Sequence, residues 1–286
     1  MRSFLTLREP RRTMSEDAEP VENISGGPGS GGSMDTFEPS ENETRAAKVV
    51  DRLGELYWQK TYGGQDAFEC LVRTILSQNT SDVASQPAHD ALMDRYGSEE
   101  DEVDLVDALA DAEQAELAET ISGAGLHNQK SARIIEIAER VREEYGGEDD
   151  FDAFVREEPA EAVRETLLAM NGVGPKTADC VLLFAGGRDG VFPVDTHVYR
   201  IYRRLGIAPP DADHEAVREV LEEKVPKGKC GFGHTASIQF GREYCSAREP
   251  ACLDGPEACP LYDLCDRVGI EPASGDVVDP VETVER

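Results

Sequence analysis

Two residues of this chain combine types and positions that suit covalent chemistry. Lys176 lies in LLAMNGVGPKTADCVLLFA, Leu167 to Ala185. The spacing predicts a helix ending near Met170, a tight Gly172-Val173-Gly174 turn and a second helix opening at Pro175, with proline at its preferred first position. Lys176 then sits in the first helical turn, where the macrodipole disfavours a cation, so a lowered amine pKa is expected. Only a neutral amine attacks an electrophilic carbon, which is what a Schiff-base nucleophile must do. The plainer alternative is a solvated surface lysine. Asp195 lies nineteen residues further on, in GVFPVDTHVYRIYRRLG, directly before another helix. As an N-cap it would accept bonds from the Thr196 to Val198 amides. A capped carboxylate is also ionised and fixed in direction, suited to stabilising a cationic sugar-like transition state or activating a nucleophile.

The turn between the two helices is an anion site in its own right. Glycines at 172 and 174 let the backbone approach a partner closely, and the free N–H groups of a helix start bind phosphate without a basic side chain. A Gly-rich turn also serves simply to pack two helices, so this motif alone is weak. Cys245, Cys252, Cys259 and Cys265 form C-x6-C-x6-C-x5-C. Four thiols within 21 residues of an otherwise cysteine-poor chain point to a metal rather than to disulfides. An iron-sulfur cluster and tetrahedral zinc both use four cysteines. Cys70, Cys180 and Cys230 read as ordinary core or surface residues, and the five histidines show no metal-ligand spacing.

The elements that must hold these groups are helical. Val198, Ile201, Tyr202 and Leu205 follow i, i+3, i+4, i+7, and Gly206 stands where a helix closes. Similar stripes occur over Phe68 to Leu76, at Ile134, Ile135, Ala138 and Val141, and at Val217, Val220 and Leu221. Period-two alternation is missing, so the expected class is all-α. Residues 1–44 contain GGPGSGGS and little apolar periodicity, and are expected to form a disordered tail; the acidic segment 269–286 is expected to fray likewise.

The 286 residues include 58 Asp and Glu against 29 Lys and Arg, a formal charge of −29. This excludes a protein that coats nucleic acid by bulk positive charge. No apolar run approaches the roughly 18 residues needed to span a bilayer, and no membrane partner is expected. The acid excess and the preference for arginine over lysine resemble proteins of salt-accumulating cytoplasms. Three stretches, 122–135, 167–205 and 224–249, together carry a net charge of +7, which leaves −36 on the remaining residues. A polyanion would therefore be gripped locally, and with a shallow salt dependence.

The segment Leu167 to Gly206 resembles the helix-hairpin-helix, Gly/Pro-rich loop and signature aspartate of the endonuclease III branch of DNA glycosylases, and the resemblance extends over about Lys48 to Cys265. It implies that Lys176 is the nucleophile at C1′ of a damaged nucleotide and Asp195 its catalytic carboxylate, with Gly172 and Gly174 on DNA phosphate. Asn171 departs from that branch, which usually has proline there. In similar proteins two loops insert a polar residue and a leucine into the duplex. Here ILSQNTSD offers Gln78 or Asn79, and GAGLHNQKSARII offers Leu126, to replace the flipped base. Gln78 and Asn79 are equally placed to cap a helix C-terminus, and Leu126 to be a buried loop residue. The cysteine spacing resembles the C-x6-C-x2-C-x5-C loop that holds a [4Fe-4S] cluster in that branch, with the middle gap four residues longer. The cluster would fix the loop that carries Arg242 and Arg248 toward phosphate; zinc is the alternative.

The resemblance implies a six-helix barrel over 67–189 and a second helical domain formed by 45–66 and 190–268. It implies a monomeric, cytoplasmic, nucleoid-associated enzyme of base excision repair. The enzyme would act on double-stranded DNA with damaged or abasic sites, remove oxidised pyrimidines and nick the strand by β-elimination. A monofunctional mismatch glycosylase of the same fold is the alternative. Against it, Thr74 stands where adenine-removing relatives carry glutamate, and Lys176 where thymine-mismatch relatives tend to carry tyrosine. A non-catalytic DNA-binding protein would not need Lys176 and Asp195 together.

Overall fold

The computed structural model describes residues 34–35, 38–39, 44–57, 59–60, 63–97 and 104–284. Residues 1–33 of the expected N-terminal tail lie outside them. The described chain is helical: α1 (Arg45–Gly54), α2 (Ala67–Ser77), α3 (Asp82–Tyr96), α4 (Leu105–Ala110), α5 (Gln114–Thr120), α6 (His127–Tyr145), α7 (Glu148–Glu157), α8 (Ala160–Leu168), α9 (Pro175–Phe184), α10 (Thr196–Arg204), α11 (His214–Lys224) and α12 (Cys230–Glu243). Strand structure is confined to two short antiparallel pairs, Met34–Asp35 with Gln59–Lys60 and Ile270–Glu271 with Asp276–Val277.

Two hydrophobic cores organise these helices. The first runs in sequence from Ala67 to Val191 and is centred on α2, whose Ala67, Phe68, Leu71, Ile75 and Leu76 are wholly buried. The second joins Ala46 to Tyr57 with Phe192 to Leu261, so α1 packs on α12, far from it in sequence. The stripes read from the sequence face inward: Ile134, Ala138 and Val141 in α6, Val198, Ile201, Tyr202 and Leu205 along α10. Burial at this spacing offsets the ordering cost of helices too short to stand alone. Gly206 closes α10 with φ +68°, a conformation that favours glycine. The helical reading of 45–66 overruns the element, since α1 stops at Gly54.

The C-terminal segment expected to fray is folded through residue 284. Ile270 and Pro280 are buried, and Gly269 and Gly275, both at positive φ, shape the small hairpin. Asp279 accepts from Arg203 Nη2 at 2.6 Å and caps the turn that follows, Pro280–Thr283, in a capping box with Glu282. Composition concealed this, because the order comes from a few anchors rather than an apolar stripe. Arg203 is only 1% exposed and needs acceptors, which the Pro210 carbonyl and Asp279 supply.

Candidate active site

The hairpin forms as its residues require. Helix α8 ends at Leu168, the Val173 N–H donates to the Met170 carbonyl at 3.1 Å, and α9 begins at Pro175. Gly172 has φ +87°, and a Cβ there would lie 2.5 Å from Cδ of Arg133. Backbone and space both demand glycine at 172. Gly174 is different: its backbone is extended, with φ −96°, and nothing lies within 4 Å of where a Cβ would be. That open space leaves the first N–H groups of α9, which lack intrahelical acceptors, accessible to an anion. Asn171 does not loosen the turn, since its Nδ2 donates to Glu136 on α6 at 2.8 Å.

Lys176 and Asp195 line one cavity of about 640 Å³, together with Thr74, Gln78, Asn79 and Arg242. Asp195 caps α10 through Oδ1 alone, which accepts from the His197 and Val198 amides at 2.9 and 2.8 Å. That leaves Oδ2 for chemistry, so capping and catalysis need not compete. The expected lowering of the Lys176 pKa is not met. Burial does push the half-buried amine down, but Cys180, four residues along the same helix, and then Asp195 push it up further, so it lies above the usual lysine value. Burial raises the Cys180 thiol in turn, and Asp195 is the carboxylate beside the ammonium.

The loops flanking the cavity separate residues that the sequence leaves equivalent. Gln78, at the C-cap of α2, turns its amide inward, donating to the Gly172 carbonyl at 3.0 Å and the Thr177 hydroxyl at 3.1 Å. It fastens the loop to the hairpin. Asn79 is exposed, with φ +52°. Leu126, with φ +48°, is 53% exposed at the start of α6. A leucine this bare is not a core residue. Arg242 reaches the cavity, whereas Arg248 is exposed on the cysteine loop.

Sequence reasoning missed two neighbours of this site. Cys180 contacts Lys176 by an i, i+4 relation that its apolar setting obscured. His214, at the start of α11, lines the same cavity and stacks on Tyr199 with centroids 4.0 Å apart and planes at 5°. Arg203 covers the Tyr199 ring at 4.3 Å. Tyr199 and Arg203 are one turn apart on α10, but no spacing in the sequence brings His214 to them.

The four terminal cysteines are free thiols. They are close enough to influence one another: burial first, then the neighbouring thiols, raise Cys252, push Cys259 up to about 12 and Cys265 to about 11. Basic and amide groups face the sulfurs. Arg204 Nη1 lies 3.6 Å from Cys245 Sγ, and the Arg267 N–H donates to Cys265 Sγ at 3.3 Å. Among the described residues, no three His, Cys, Asp or Glu side chains converge with the geometry of a metal site. The four sulfurs suit a thiolate-bound group by the chemistry of the donors and their positive surroundings alone, since their positions do not form a metal site.

Comparison with known proteins places this geometry. Residues 72–227 match the family described as "HhH-GPD superfamily base excision DNA repair protein". The chain is 32% identical over 224 residues to "Endonuclease III" of Thermotoga maritima, covering 78% of this chain and 92% of that one. A solved "non-covalent Endonuclease III-DNA Complex" superimposes with a TM-score of 0.64 at 26% identity, covering 78% of this chain and 96% of the other. A "Trapped Endonuclease III-DNA Covalent Intermediate" gives 0.63 at 25% identity, over 85% and 99%.

Proposed function

The chain belongs to the HhH-GPD superfamily of base excision DNA repair proteins, and from that premise we propose that it is a bifunctional DNA glycosylase and abasic-site lyase working through Lys176 and Asp195. The observation that carries the reading is their meeting in one cavity beside the hairpin. A base flipped out of the duplex enters that cavity. As its bond to C1′ breaks, Asp195 Oδ2 stabilises the cationic sugar. Once Asp195 is engaged by that cation it no longer holds the Lys176 ammonium, whose proton passes to the departing base and leaves a neutral amine, the form that burial favours. The amine bonds to C1′, the sugar ring opens to a Schiff base, and loss of the C2′ proton breaks the bond from C3′ to its phosphate oxygen, cutting the strand.

The DNA is held at the Gly172–Gly174 turn through amides and at the cavity rim by Arg242, with Arg248 reaching phosphate from the cysteine loop. Asn79 and Leu126 fill the space left by the flipped base. Gln78 supports the loop from behind. Cys245, Cys252, Cys259 and Cys265 would hold a [4Fe-4S] cluster, with zinc the alternative. Such a group would supply structural cross-linking rather than chemistry on DNA. The preferred substrate class is oxidised pyrimidine in duplex DNA, and the acidic surface fits a salt-rich cytoplasm.

The test is a panel of duplexes, each with one lesion: an oxidised pyrimidine, an abasic site, a G·T mismatch and adenine opposite 8-oxoguanine. Base release and strand scission are scored separately. Coincident release and scission on the oxidised pyrimidine is expected. Release without scission, confined to a mismatch, would establish the monofunctional alternative instead.

A further inference from the structure

Lys130, in the first half of α6, is 1% exposed. A buried ammonium ordinarily finds a carboxylate. Lys130 has neutral acceptors instead: the Leu76 carbonyl at 2.7 Å, the Thr80 hydroxyl at 2.8 Å and the Ala124 carbonyl at 2.8 Å. Three acceptors match the three hydrogens of an ammonium.

The origin of the acceptors matters more than their number. Leu76 lies in the last turn of α2, two residues before Gln78, and Thr80 directly follows Asn79 in the loop. Ala124 belongs to the short helical turn Ser122–Ala124, two residues before Leu126. The Thr80 hydroxyl also lies within hydrogen-bond reach of the Ala124 and Gln78 carbonyls. Asn79 and Leu126 both adopt left-handed backbone, which non-glycine residues keep only where their surroundings over-determine it. One buried charge supplies that constraint to both loops. Burial alone pulls its amine down, to about 8, and the acceptors saturate the charged form that remains below that.

We propose that Lys130 is a positioning residue that locks the Asn79 loop to the Leu126 loop, so that the two exposed side chains enter DNA as one rigid wedge. The inference rests on the reading of Asn79 and Leu126 as the inserted residues. It assigns to α6 a role in flipping the base, separate from the covalent steps at Lys176.

The experiment compares the full chain with Lys130→Met, Leu126→Ala and the double variant. One substrate is a duplex carrying an oxidised pyrimidine; the other is a single-stranded abasic oligonucleotide, which has no partner strand and no base to extrude. Thermal melting confirms that each variant is folded. In Lys130→Met the duplex-to-single-strand ratio of kcat/KM should fall by about tenfold, mainly through the duplex KM, because a hydrogen-bonded charge that fixes both loops is gone. Adding Leu126→Ala should then cost much less than it does in the wild type, since the wedge is already loose. If Lys130→Met fails to fold, Thr80→Val removes one acceptor and should give the same non-additive pattern with smaller size. Equal losses on both substrates, or strict additivity with a normal Leu126→Ala defect, would overturn the coupling. Wild-type duplex kinetics in Leu126→Ala would overturn the wedge assignment and the coupling with it.

Discussion

The hairpin at Met170–Lys176 and the loop at Cys245–Cys265 are held in opposite ways. The hairpin is fixed chiefly by backbone, with one glycine at positive φ and a proline opening α9, and by two side-chain amides, Gln78 on the Gly172 carbonyl and Asn171 on Glu136. The cysteine loop consists largely of short 3-10 turns hung on arginines. Arg204 donates to the Ser246 and Ala247 carbonyls at 2.6 and 2.7 Å, Arg200 to that of Cys245 at 2.9 Å, and Arg52 to that of Pro260 at 3.0 Å. Arg267 stacks over Tyr262 at 4.2 Å. Local geometry suffices for the first region. The second draws its anchors from helices far away in sequence, and its Cys252, Cys259 and Cys265 thiols, raised by burial, ionise only for a ligand that rewards thiolate. Arg52, Arg200 and Arg204 are here occupied with carbonyls rather than free for a polyanion.

The comparison breaks most sharply at Asp195. Asparagine is as good an N-cap, so Asp195→Asn should leave the melting temperature nearly unchanged while lowering single-turnover base release by roughly 10²–10³-fold. Unchanged turnover would reduce the carboxylate to a cap. Next in size, Cys259→Ser should lower stability by about 3 kcal/mol or more in thermal melts, if a bound group ties the loop to the helices. It should also remove any visible absorbance of a cluster, while the folded fraction keeps its Lys176 chemistry. A melt identical to wild type would show the arginines to be sufficient. Smaller still, Gly172→Ala places a side chain at φ +87° against Arg133, and should cost about 1–2 kcal/mol of stability. It should weaken abasic-DNA binding along with it; normal binding would remove the turn from the DNA contact.

The placement of Lys176 and Asp195 was legible in the sequence because it is local. Pro175 sets the helix start, Lys176 follows it, and Asp195 directly precedes α10. The helical stripes were legible for the same reason, since three- and four-residue spacings report burial without knowledge of the partner. What escaped depends on residues distant in the chain. Whether Gln78 or Asn79 faces outward is decided by the Gly172 carbonyl 94 positions away. Arg203 finding Asp279, which orders the C-terminal hairpin, spans 76. The Lys176 amine is raised against the helix dipole by Cys180 one turn along α9 and by Asp195, nineteen residues on.

The central claim is that Lys176 forms a covalent imine with the sugar during base removal. Borohydride reduction during reaction with a duplex carrying an oxidised pyrimidine, and with one carrying an abasic site, tests it directly. The wild-type chain should be trapped as a stable protein–DNA adduct on both substrates, and Lys176→Gln on neither. A wild-type chain that releases base but is never trapped, or a Lys176→Gln chain trapped as efficiently, would contradict the account.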